Sequence, residues 1–390
     1  MDDLARWRDE FPILSRTVYM ISNSLGAMPR ATAQSLAEYA GTWATRGVRA
    51  WEERWFAMAG EVGDKVAGII GAPAGSVSMH ENVTTAHAVA LSCLRPEGRR
   101  RKLVCTAMDF PSMIYLYKAQ QDAGFDLEIV PALDDLSVPA ERIAAAIDDR
   151  TSVVALSHVL FRSSYIVDPR PVVERAREVG AVVILDGYQS AGIIPVDVAA
   201  LEVDFFVGGC LKWLCGGPGN AFLYTAPRIK ESRHPRLTGW MSRQHPFAFD
   251  IDATDVRGDG MGMMNGTPAI PAYYAALPGL EIITQVGVDR IRAASQAMTR
   301  RLLDLVDHYG YPSVASRNPE RLAGTVAVNV PDGMKVAATL NARDFVVDFR
   351  PGVGIRLSPH FYNTMDEVDA MMRELDRVAR AKDHNGQPGG

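Results

Sequence analysis

The sequence predicts an α/β protein: a large domain in which helices cover a mostly parallel sheet, followed by a smaller α+β domain. Three observations support this fold class. Short apolar segments alternate with helical segments through the first two thirds of the 390-residue chain. Those segments contain few polar residues, as is typical of strands that are covered on both faces. From about Pro271 the pattern changes to long helices followed by short strands.

The chain is predicted to begin with helices and then to enter the alternating region. One helical pattern lies near residues 31–46, and a second covers EERWFAMAGEVGDKVAGIIG, which ends at Gly71. Strands are then predicted at 102–107, 126–132, 152–159, 181–186 and in the sequence VDFFVGG. Helical segments separate most of these strands, and parallel neighbours require such crossovers. The alternation therefore indicates repeated β-α-β units.

The last third is predicted to form the small domain. After the long helices, short strands are expected at GTVAVNV, FVVDFR and GIRLS, and a closing helix is expected from about Asp366. We therefore expect a large domain at 15–270 and a small domain at 271–380, with residues 1–14 packed near the small domain. The polar tail at 381–390 is predicted to be disordered.

Composition and charge narrow the classes of partner. The chain is 47% hydrophobic and 22% charged, as expected of a soluble globular protein. A net charge of −5 gives no general attraction for nucleic acid or anionic membrane. The sequence has no apolar run long enough to span a bilayer and no secretory signal. Its four cysteines lack the spacing of a metal site. We expect a cytoplasmic protein with no nucleic-acid, membrane or metal partner.

Two charged residues follow predicted strands that are otherwise apolar. Asp186 closes AVVILD, and Lys212 lies in GGCLKWLCGGPG, just after VDFFVGG. Ligands of open α/β sheets bind at the carboxyl ends of the strands, so both residues are candidates for one site. A carboxylate in apolar surroundings is costly to bury unless a cation meets it.

Three further residues suggest what such a site binds. Thr84 and Thr85 lie where a helix begins, and free N–H groups at a helix start favour a phosphate. Phe110 follows the strand KLVCTA, where its ring suits a flat ligand. Together with Lys212 and Asp186, these residues predict pyridoxal phosphate. The lysine forms the Schiff base, and the aspartate keeps the pyridine nitrogen protonated.

Each of these residues also fits an interpretation without a cofactor. Thr84 and Thr85 are suited to capping a helix. Phe110 is suited to the hydrophobic core, and Asp186 to capping the next turn. Lys212 is suited to extending its amine from an apolar surface into water. The residues alone leave these alternatives open.

The chain resembles the fold-type I pyridoxal-phosphate enzymes of aminotransferase class V, and within them it is most similar to kynureninases. The resemblance spans nearly the whole chain. The segments that carry it are NSLGAMPRAT, DFPSMIY, SHVLFRSS, DGYQSAGIIPVDV, DFFVGGCLKWLCGGPGNAFLY, GWMSRQHPFAFD, NGTPAIPAYYAALPGLEII and GIRLSPHFYNTMDEVD. The ordered set is specific for the cofactor, although it is not specific for the reaction.

The resemblance implies roles for individual residues. It makes Lys212 the Schiff-base lysine, places Phe110 on the pyridine ring, and assigns the phosphate to Thr84 and to the N–H groups of Val83 and Thr84. Trp240 and Thr267 match positions that reach the phosphate of a neighbouring subunit, which implies a homodimer with shared sites. The residues expected to contact the substrate are Arg356, Asn23, Ser24 and Arg162. The arginine at position 356 matches one that holds the substrate α-carboxylate, although a structural ion pair is the alternative.

The sequence departs from kynureninases at three positions. Leu211 stands where they have a tyrosine, directly before the lysine, and Met113 stands where they have an aspartate. Gln189 replaces their histidine and resembles the glutamine of cysteine desulfurases, which bonds the phenolic oxygen of the cofactor. The desulfurase cysteine nucleophile is itself missing, since His360 and Phe361 lie near its position.

These departures shape the predicted activity. We expect a lyase that cleaves a Cβ–S or Cβ–C bond of an amino acid bound to the cofactor. A cysteine S-conjugate is favoured slightly over kynurenine, because a thiolate leaves with less help from a proton donor. The alternative is an aminotransferase, a decarboxylase or a decarboxylative oxidative deaminase that acts on the same kind of amino-acid conjugate.

Overall fold

The computed structural model describes residues 2–381, so the predicted disordered tail at 381–390 lies outside the described residues except for its first residue. The α-helices are α1 Ala31–Arg46, α2 Phe56–Ile69, α3 Val83–Ser92, α4 Pro111–Ala119, α5 Ala140–Ala145, α6 Arg170–Val179, α7 Pro227–Ser232, α8 Ile270–Val286, α9 Val288–Tyr309, α10 Gly333–Asn341 and α11 Met365–Arg380. The strands are β1 Val18–Tyr19, β2 Val77–His80, β3 Lys102–Thr106, β4 Asp126–Val130, β5 Thr151–Ser157, β6 Val182–Asp186, β7 Phe205–Gly209, β8 Ala221–Thr225, β9 Val326–Val328, β10 Phe345–Val346, β11 Asp348–Arg350 and β12 Gly354–Leu357.

A seven-stranded sheet with the order β2-β8-β7-β6-β5-β3-β4 forms the centre of the described chain. The pairs from β7 through β6, β5 and β3 to β4 are parallel, and β8 runs antiparallel to both of its neighbours. Helices connect β3 to β4, β4 to β5 and β5 to β6, as the alternating pattern predicts, whereas the described segment between β6 and β7 contains no helix. The prediction of a mostly parallel sheet covered by helices is therefore confirmed.

The central strands are apolar because they are buried on both faces. Every residue of β3, β6 and β7 is buried, and β5 differs only at Ser152. The edge strand β4, in contrast, exposes Asp126 and Ile129. Two-sided burial explains why these segments show no alternation of apolar and polar residues.

A three-stranded antiparallel sheet with the order β11-β12-β9 forms in the last third of the chain. The N-terminal segment joins this region, because β1 pairs with β10 in parallel. Arg8 donates to Glu367 of α11 at 2.7 Å, which ties the first helical turns to the same region. The segment at 18–21 therefore links the two ends of the sequence and leads directly into the predicted loop NSLGAMPRAT.

Helix α8 packs mainly against α1 and α2, although the predicted boundary assigns it to the small domain. Ser35 donates to the carbonyl of Tyr274, and Lys65 pairs with Glu281, so polar contacts reinforce this packing. α8 therefore connects the predicted small domain to helices of the predicted large domain. No helix in the described range is long and apolar enough to cross a membrane.

The structure adds local features that the sequence patterns did not predict. Strands β2 and β8 extend the sheet at one edge, and the segment FVVDFR divides into β10 and β11, which lie in different sheets. The predicted second helix starts with a π-helical turn at Trp51–Trp55, so its regular part begins only at Phe56.

Candidate active site

A cavity of about 310 Å³ lies where the carboxyl ends of β5 and β6 meet the loops that follow β3 and β7. Eight residues predicted for the site line it: Asn23, Ser24, Val83, Phe110, Asp186, Gln189, Lys212 and Arg356. Of the other predicted residues, all within the described range, Thr84, Thr85, Arg162, Trp240 and Thr267 are not among its lining residues. The fold thus brings together residues from six separate parts of the sequence.

Lys212 is buried in the loop that follows β7. Burial lowers the pKa of its amine to about 7, with Asp186 opposing the shift and Arg356 adding to it. Its Nζ lies 4.3 Å from the ring centroid of Tyr188 and 5.9 Å from that of Phe110. A substantial fraction of the amine is therefore neutral near pH 7, and a neutral amine is the form that attacks a carbonyl carbon.

Asp186 ends β6 in register with Ser157 of β5 and Val207 of β7. Its Oδ1 accepts a hydrogen bond from the N–H of Tyr188 at 2.8 Å. Its Oδ2 lies 3.4 Å from Nε2 of His87, which is completely buried. The carboxylate is thus held at two points while it remains part of the cavity wall.

The N-terminus of α3 presents backbone donors beside the cavity. Asn82 caps this helix, because its Oδ1 accepts the N–H of Thr85 at 2.9 Å and lies 3.3 Å from the hydroxyl of Thr85. In residues 2–381 the N–H groups of Val83 and Thr84 have no such partner. These two donors therefore remain available for a phosphate, whereas the backbone N–H of Thr85 is engaged by the cap.

Gln189 is held in one orientation by two neighbours. Its Oε1 accepts from the indole N–H of Trp213 at 3.0 Å, and its Nε2 donates to the carbonyl of Asn23 at 2.9 Å. Because an indole N–H can only donate, it determines which end of the Gln189 amide is oxygen. The second hydrogen on Nε2 remains a free donor at the cavity wall, and a phenolic oxygen of a bound cofactor is able to accept it.

Asn23 is an unsatisfied polar residue of the cavity. Its side chain is buried, and neither Nδ2 nor Oδ1 has a hydrogen-bond partner among the described residues. Buried amides are rarely left unpaired, because desolvation without a hydrogen bond costs roughly 1–3 kcal/mol in proteins. Asn23 therefore indicates a bound polar ligand, and Ser24 lines the cavity next to it.

Arg356 lies on β12 and faces Asp348, its cross-strand partner on β11. Its Nε donates to Asp348 Oδ1 at 2.8 Å, its Nη2 pairs with Oδ2, and its Nη1 donates to the carbonyl of Phe161 at 2.8 Å. Arg350 also reaches Asp348 Oδ2, at 3.0 Å. The guanidinium predicted to hold the substrate carboxylate thus forms an internal ion pair at the cavity wall. This geometry is compatible with a structural ion pair and with substrate binding.

The remaining predicted residues lie around the cavity. Phe110 is 45% exposed, and its ring lies 5.2 Å from that of Phe161 between centroids in an edge-to-face arrangement. Arg162 donates to the carbonyl of Pro351 at 3.3 Å, in the turn between β11 and β12. Trp240 is half-buried and Thr267 is exposed, as suits residues that reach outside their own subunit.

Sequence reasoning missed several residues of the site. Tyr188 and Arg350 line the cavity, and Asp348 and His87 contact predicted residues directly. Tyr188 had a signal in the sequence, because it lies between Asp186 and Gln189 in DGYQSAG. Asp348 contacts Arg356 on a neighbouring strand, and His87 contacts Asp186, which is distant in the sequence. No rule of residue spacing identifies either contact.

These residues fit pyridoxal phosphate. The neutral amine of Lys212, the fixed carboxylate of Asp186, the free donors of α3 and the fixed amide of Gln189 match the aldehyde, ring nitrogen, phosphate and phenolic oxygen of that molecule. The unpaired Asn23 amide independently indicates a polar ligand. The fold and the site together define a class: α/β enzymes with a cofactor-binding lysine at the carboxyl ends of a parallel sheet.

The chain belongs to the aminotransferase class-V family, whose profile matches residues 18–371. It is 29% identical to a kynureninase of Bacillus thuringiensis subsp. konkukian, covering 98% of this chain and 93% of that protein. It is 30% identical to a kynureninase of Shouchella clausii, covering 94% of this chain and 90% of that one. The protein is accordingly a kynureninase-like, pyridoxal-phosphate-dependent enzyme of the lyase or aminotransferase type.

Solved structures share the fold at lower sequence identity. A cysteine desulfurase from Thermococcus onnurineus NA1 superposes with a TM-score of 0.85 at 22% identity, covering 96% of this chain and 98% of that one. The cystine C-S lyase C-DES superposes with a TM-score of 0.85 at 20% identity, covering 94% and 99%. These similarities confirm the fold-type I architecture.

Proposed function

We propose that the protein cleaves a Cβ–S or Cβ–C bond of an amino acid, and that a sulfur leaving group suits its site better than a carbon one. The observation that carries this proposal is that Leu211 and Met113 both line the cavity. At these positions the resemblance to kynureninases implies a tyrosine and an aspartate. Neither Leu211 nor Met113 can supply a proton to a departing carbanion, whereas a thiolate leaves without one.

Different residues of the site are proposed to bind the cofactor and to transfer the proton. Pyridoxal phosphate, when bound, withdraws electrons from the amino-acid Cα. Lys212, with its pKa lowered to about 7 by burial, is suited to attack the cofactor and to take a proton from Cα. The groups proposed to hold the cofactor are Asp186, Val83, Thr84, Thr85, Phe110 and Gln189, with Trp240 and Thr267 acting from a second subunit.

The charges of the cavity suit a substrate with one carboxylate. Arg356 and Arg350 share the single carboxylate of Asp348, so this end of the cavity retains a net positive charge. The α-carboxylate of an amino acid provides the missing negative charge. We propose that Arg356 binds it, with Asn23, Ser24 and Arg162 as further substrate contacts.

Apolar residues of the cavity lining support a substrate whose substituent has apolar surface. Leu211, Met113, Val159 and Phe161 all line the cavity, and all four have apolar side chains. Ligand sites combine such apolar walls with a few polar groups that fix orientation. A cysteine S-conjugate meets both requirements, because it combines a polar amino-acid end with a variable group on sulfur.

Product analysis tests the proposal. The loaded enzyme is incubated with a panel of cysteine S-conjugates and, because kynureninases are among its relatives, with kynurenine. We expect pyruvate and a free thiol from at least one S-conjugate, in equal amounts, and a slower release of alanine from kynurenine. Lys212→Ala is the matched control and should lose both products.

Other products would contradict the proposed bond. A keto acid that retains the whole carbon skeleton would indicate transamination or deamination, and carbon dioxide would indicate decarboxylation. A faster reaction with kynurenine than with every S-conjugate would overturn the preference for sulfur. Each of these results identifies a different bond at Cα or Cβ.

We further propose a cytoplasmic homodimer whose sites lie at the subunit interface. Large apolar side chains are exposed in the segment that follows Trp240, namely Phe247 at 54%, Phe249 at 72% and Ile251 at 96%. A soluble protein rarely leaves such a group uncovered. A large domain at 15–270 and a small one at 271–380 remain the proposed division, with α8 as the helix that joins them.

A further inference from the structure

His87 of α3 is a buried histidine that contacts the carboxylate of Asp186. Its Nε2 lies 3.4 Å from Asp186 Oδ2, and its side chain is completely inaccessible to solvent. Within residues 2–381 this nitrogen has no full hydrogen bond to any group. The Asp186 carboxylate is thus the polar contact that the structure offers to Nε2, at slightly more than the usual hydrogen-bond distance.

Tyr117 of α4 contacts the other side of the same ring. Its hydroxyl lies 3.2 Å from His87 Nδ1, and it too is buried. Burial raises the pKa of Tyr117 well above its usual value, and the charges of Asp109 and Asp186 and the thiol of Cys105 add to the shift. Tyr117 therefore keeps its proton and is able to donate it in a hydrogen bond.

These contacts determine the tautomer of a neutral His87. A lone pair on Nε2 would point at the negative carboxylate, so Nε2 carries the hydrogen and donates towards Asp186. Nδ1 is then the acceptor for the Tyr117 hydroxyl. The result is a one-directional chain of donors that runs from Tyr117 through His87 to Asp186.

The position of His87 on α3 links this chain to the other end of the cofactor site. The free N–H groups of Val83 and Thr84 belong to the first turn of the same helix. His87 follows Val83 by four residues, so the two lie one turn apart on one helix face. A single rigid element therefore carries both the phosphate donors and the contact to Asp186.

We propose that His87 is a positioning residue: it holds the Asp186 carboxylate towards the ring nitrogen of the cofactor, and Tyr117 keeps it in the donating tautomer. This inference rests on the proposed pairing of Asp186 with that nitrogen. The N–H of Tyr188 donates to Oδ1, and Nε2 of His87 lies 3.4 Å from Oδ2, so both carboxylate oxygens have a polar neighbour. A histidine that only fills space in the core would have no such effect.

Titration of cofactor-free protein with pyridoxal phosphate, followed by visible absorbance, tests the first part. His87→Leu keeps the volume but removes the donor, and we expect its dissociation constant to rise about tenfold, as loss of one hydrogen bond to a charged group implies. His87→Gln retains an N–H donor and should keep most of the affinity. His80→Gln is the control, because this buried histidine bonds Ser78 at 2.9 Å and not Asp186.

The pH dependence of the same absorbance separates positioning from packing. A positive ring nitrogen lowers the proton affinity of the Lys212 nitrogen in the loaded protein. When Asp186 holds that positive charge less firmly, the midpoint of the absorbance change moves to higher pH. We expect this shift in His87→Leu, a smaller shift in Tyr117→Phe, and none in His80→Gln.

Asp186→Asn distinguishes failure of this inference from failure of the proposed site. If Asp186→Asn weakens cofactor binding while His87→Leu and Tyr117→Phe leave both affinity and midpoint unchanged, the role of His87 is overturned and that of Asp186 stands. If Asp186→Asn itself binds the cofactor normally, the proposed pairing fails. Should His87→Leu not fold, the midpoint of Tyr117→Phe decides.

Discussion

Lys212 is the residue whose chemistry depends most directly on its surroundings. Desolvation lowers the pKa of its amine to about 7, while Asp186 limits the shift through its opposite charge. The same burial that makes the ammonium unfavourable makes the neutral amine available. The lysine is therefore prepared for attack on an aldehyde before any ligand enters the cavity.

The lowered pKa of Lys212 predicts how fast cofactor-free protein captures pyridoxal phosphate. Below pH 7 the amine is mostly protonated, and above pH 7 it is mostly neutral. We expect the rate constant, measured by stopped-flow absorbance, to rise with pH and to level off above about pH 8 as the neutral fraction saturates. Nα-Acetyllysine is the control, since its rate should still rise about tenfold per pH unit up to pH 9. The same continued rise in the protein would contradict a lowered pKa.

Asp348 is predicted to stabilise the fold through Arg356. The Arg356 guanidinium is buried, so removal of its counter-charge leaves an uncompensated charge in the interior. We expect Asp348→Asn to lower the free energy of unfolding by about 3 kcal/mol, measured by denaturant unfolding of cofactor-free protein. Asp307→Asn is the control, because its pair with Arg317 is half-exposed and should change stability by less than about 1 kcal/mol. Equal losses in the two variants would argue against a special role for the buried pair.

At the residue scale, the sequence predicts functional groups where a charged residue stands among apolar neighbours. Lys212 and Asp186 follow apolar strands, and this conflict is visible in the sequence alone. His87 and Asp348 give no such signal, because their importance comes from contacts with Asp186 and Arg356 that only folding creates. Local pattern therefore finds the reactive groups and misses the groups that orient them.

At the scale of secondary-structure elements, α3 carries several functions in ten residues. Asn82 satisfies the third N–H of the helix and leaves the first two free, so the cap selects which donors a ligand meets. Sequence reasoning placed the helix start correctly but considered the threonines as the cap. The cap is Asn82, because its side-chain oxygen reaches the N–H of Thr85.

Two variants of Asn82 should separate helix capping from phosphate binding. Asn82→Ala removes the acceptor, and we expect the free energy of unfolding to fall by about 1 kcal/mol. Asn82→Asp retains an acceptor and the stability, but it places a negative charge at the proposed phosphate site and should weaken cofactor binding. Thermal unfolding of cofactor-free protein and cofactor titration measure the two effects. Normal cofactor affinity in Asn82→Asp would show that the phosphate binds elsewhere.

Element prediction failed where tertiary pairing decides the structure. β2 pairs with β8, and β8 pairs with β7, so both become strands through antiparallel partners that are distant in the sequence or follow a loop. FVVDFR is one extended segment by composition, yet its first part pairs with β1 and its second with β12. The doubly buried strands β3, β5, β6 and β7 were predictable because burial on both faces requires a continuous apolar sequence.

At the scale of the whole molecule, the exposed apolar surface lies close to residues predicted to act across subunits. The ring of Trp240 lies 5.7 Å from that of Phe247 and 6.2 Å from that of Phe249, measured between centroids. Phe247 in turn packs on Phe56 at 4.8 Å. We call Trp240, Phe247, Phe249 and Ile251 the 240–251 patch. A second copy of the chain that covers this patch is part of the homodimer proposed above.

Phe249→Asp should therefore disrupt both assembly and cofactor binding. Sedimentation equilibrium of the wild-type protein is expected to give twice the chain mass of 42.5 kDa, whereas the variant should shift towards the single-chain mass. Cofactor affinity should fall with it, since Trp240 and Thr267 would no longer reach the neighbouring phosphate. Met334→Asp is the control, because this residue is also exposed, at 65%, but lies on α10. A single-chain wild type would refute the dimer, and a variant that stays dimeric with full affinity would exclude the 240–251 patch as the interface.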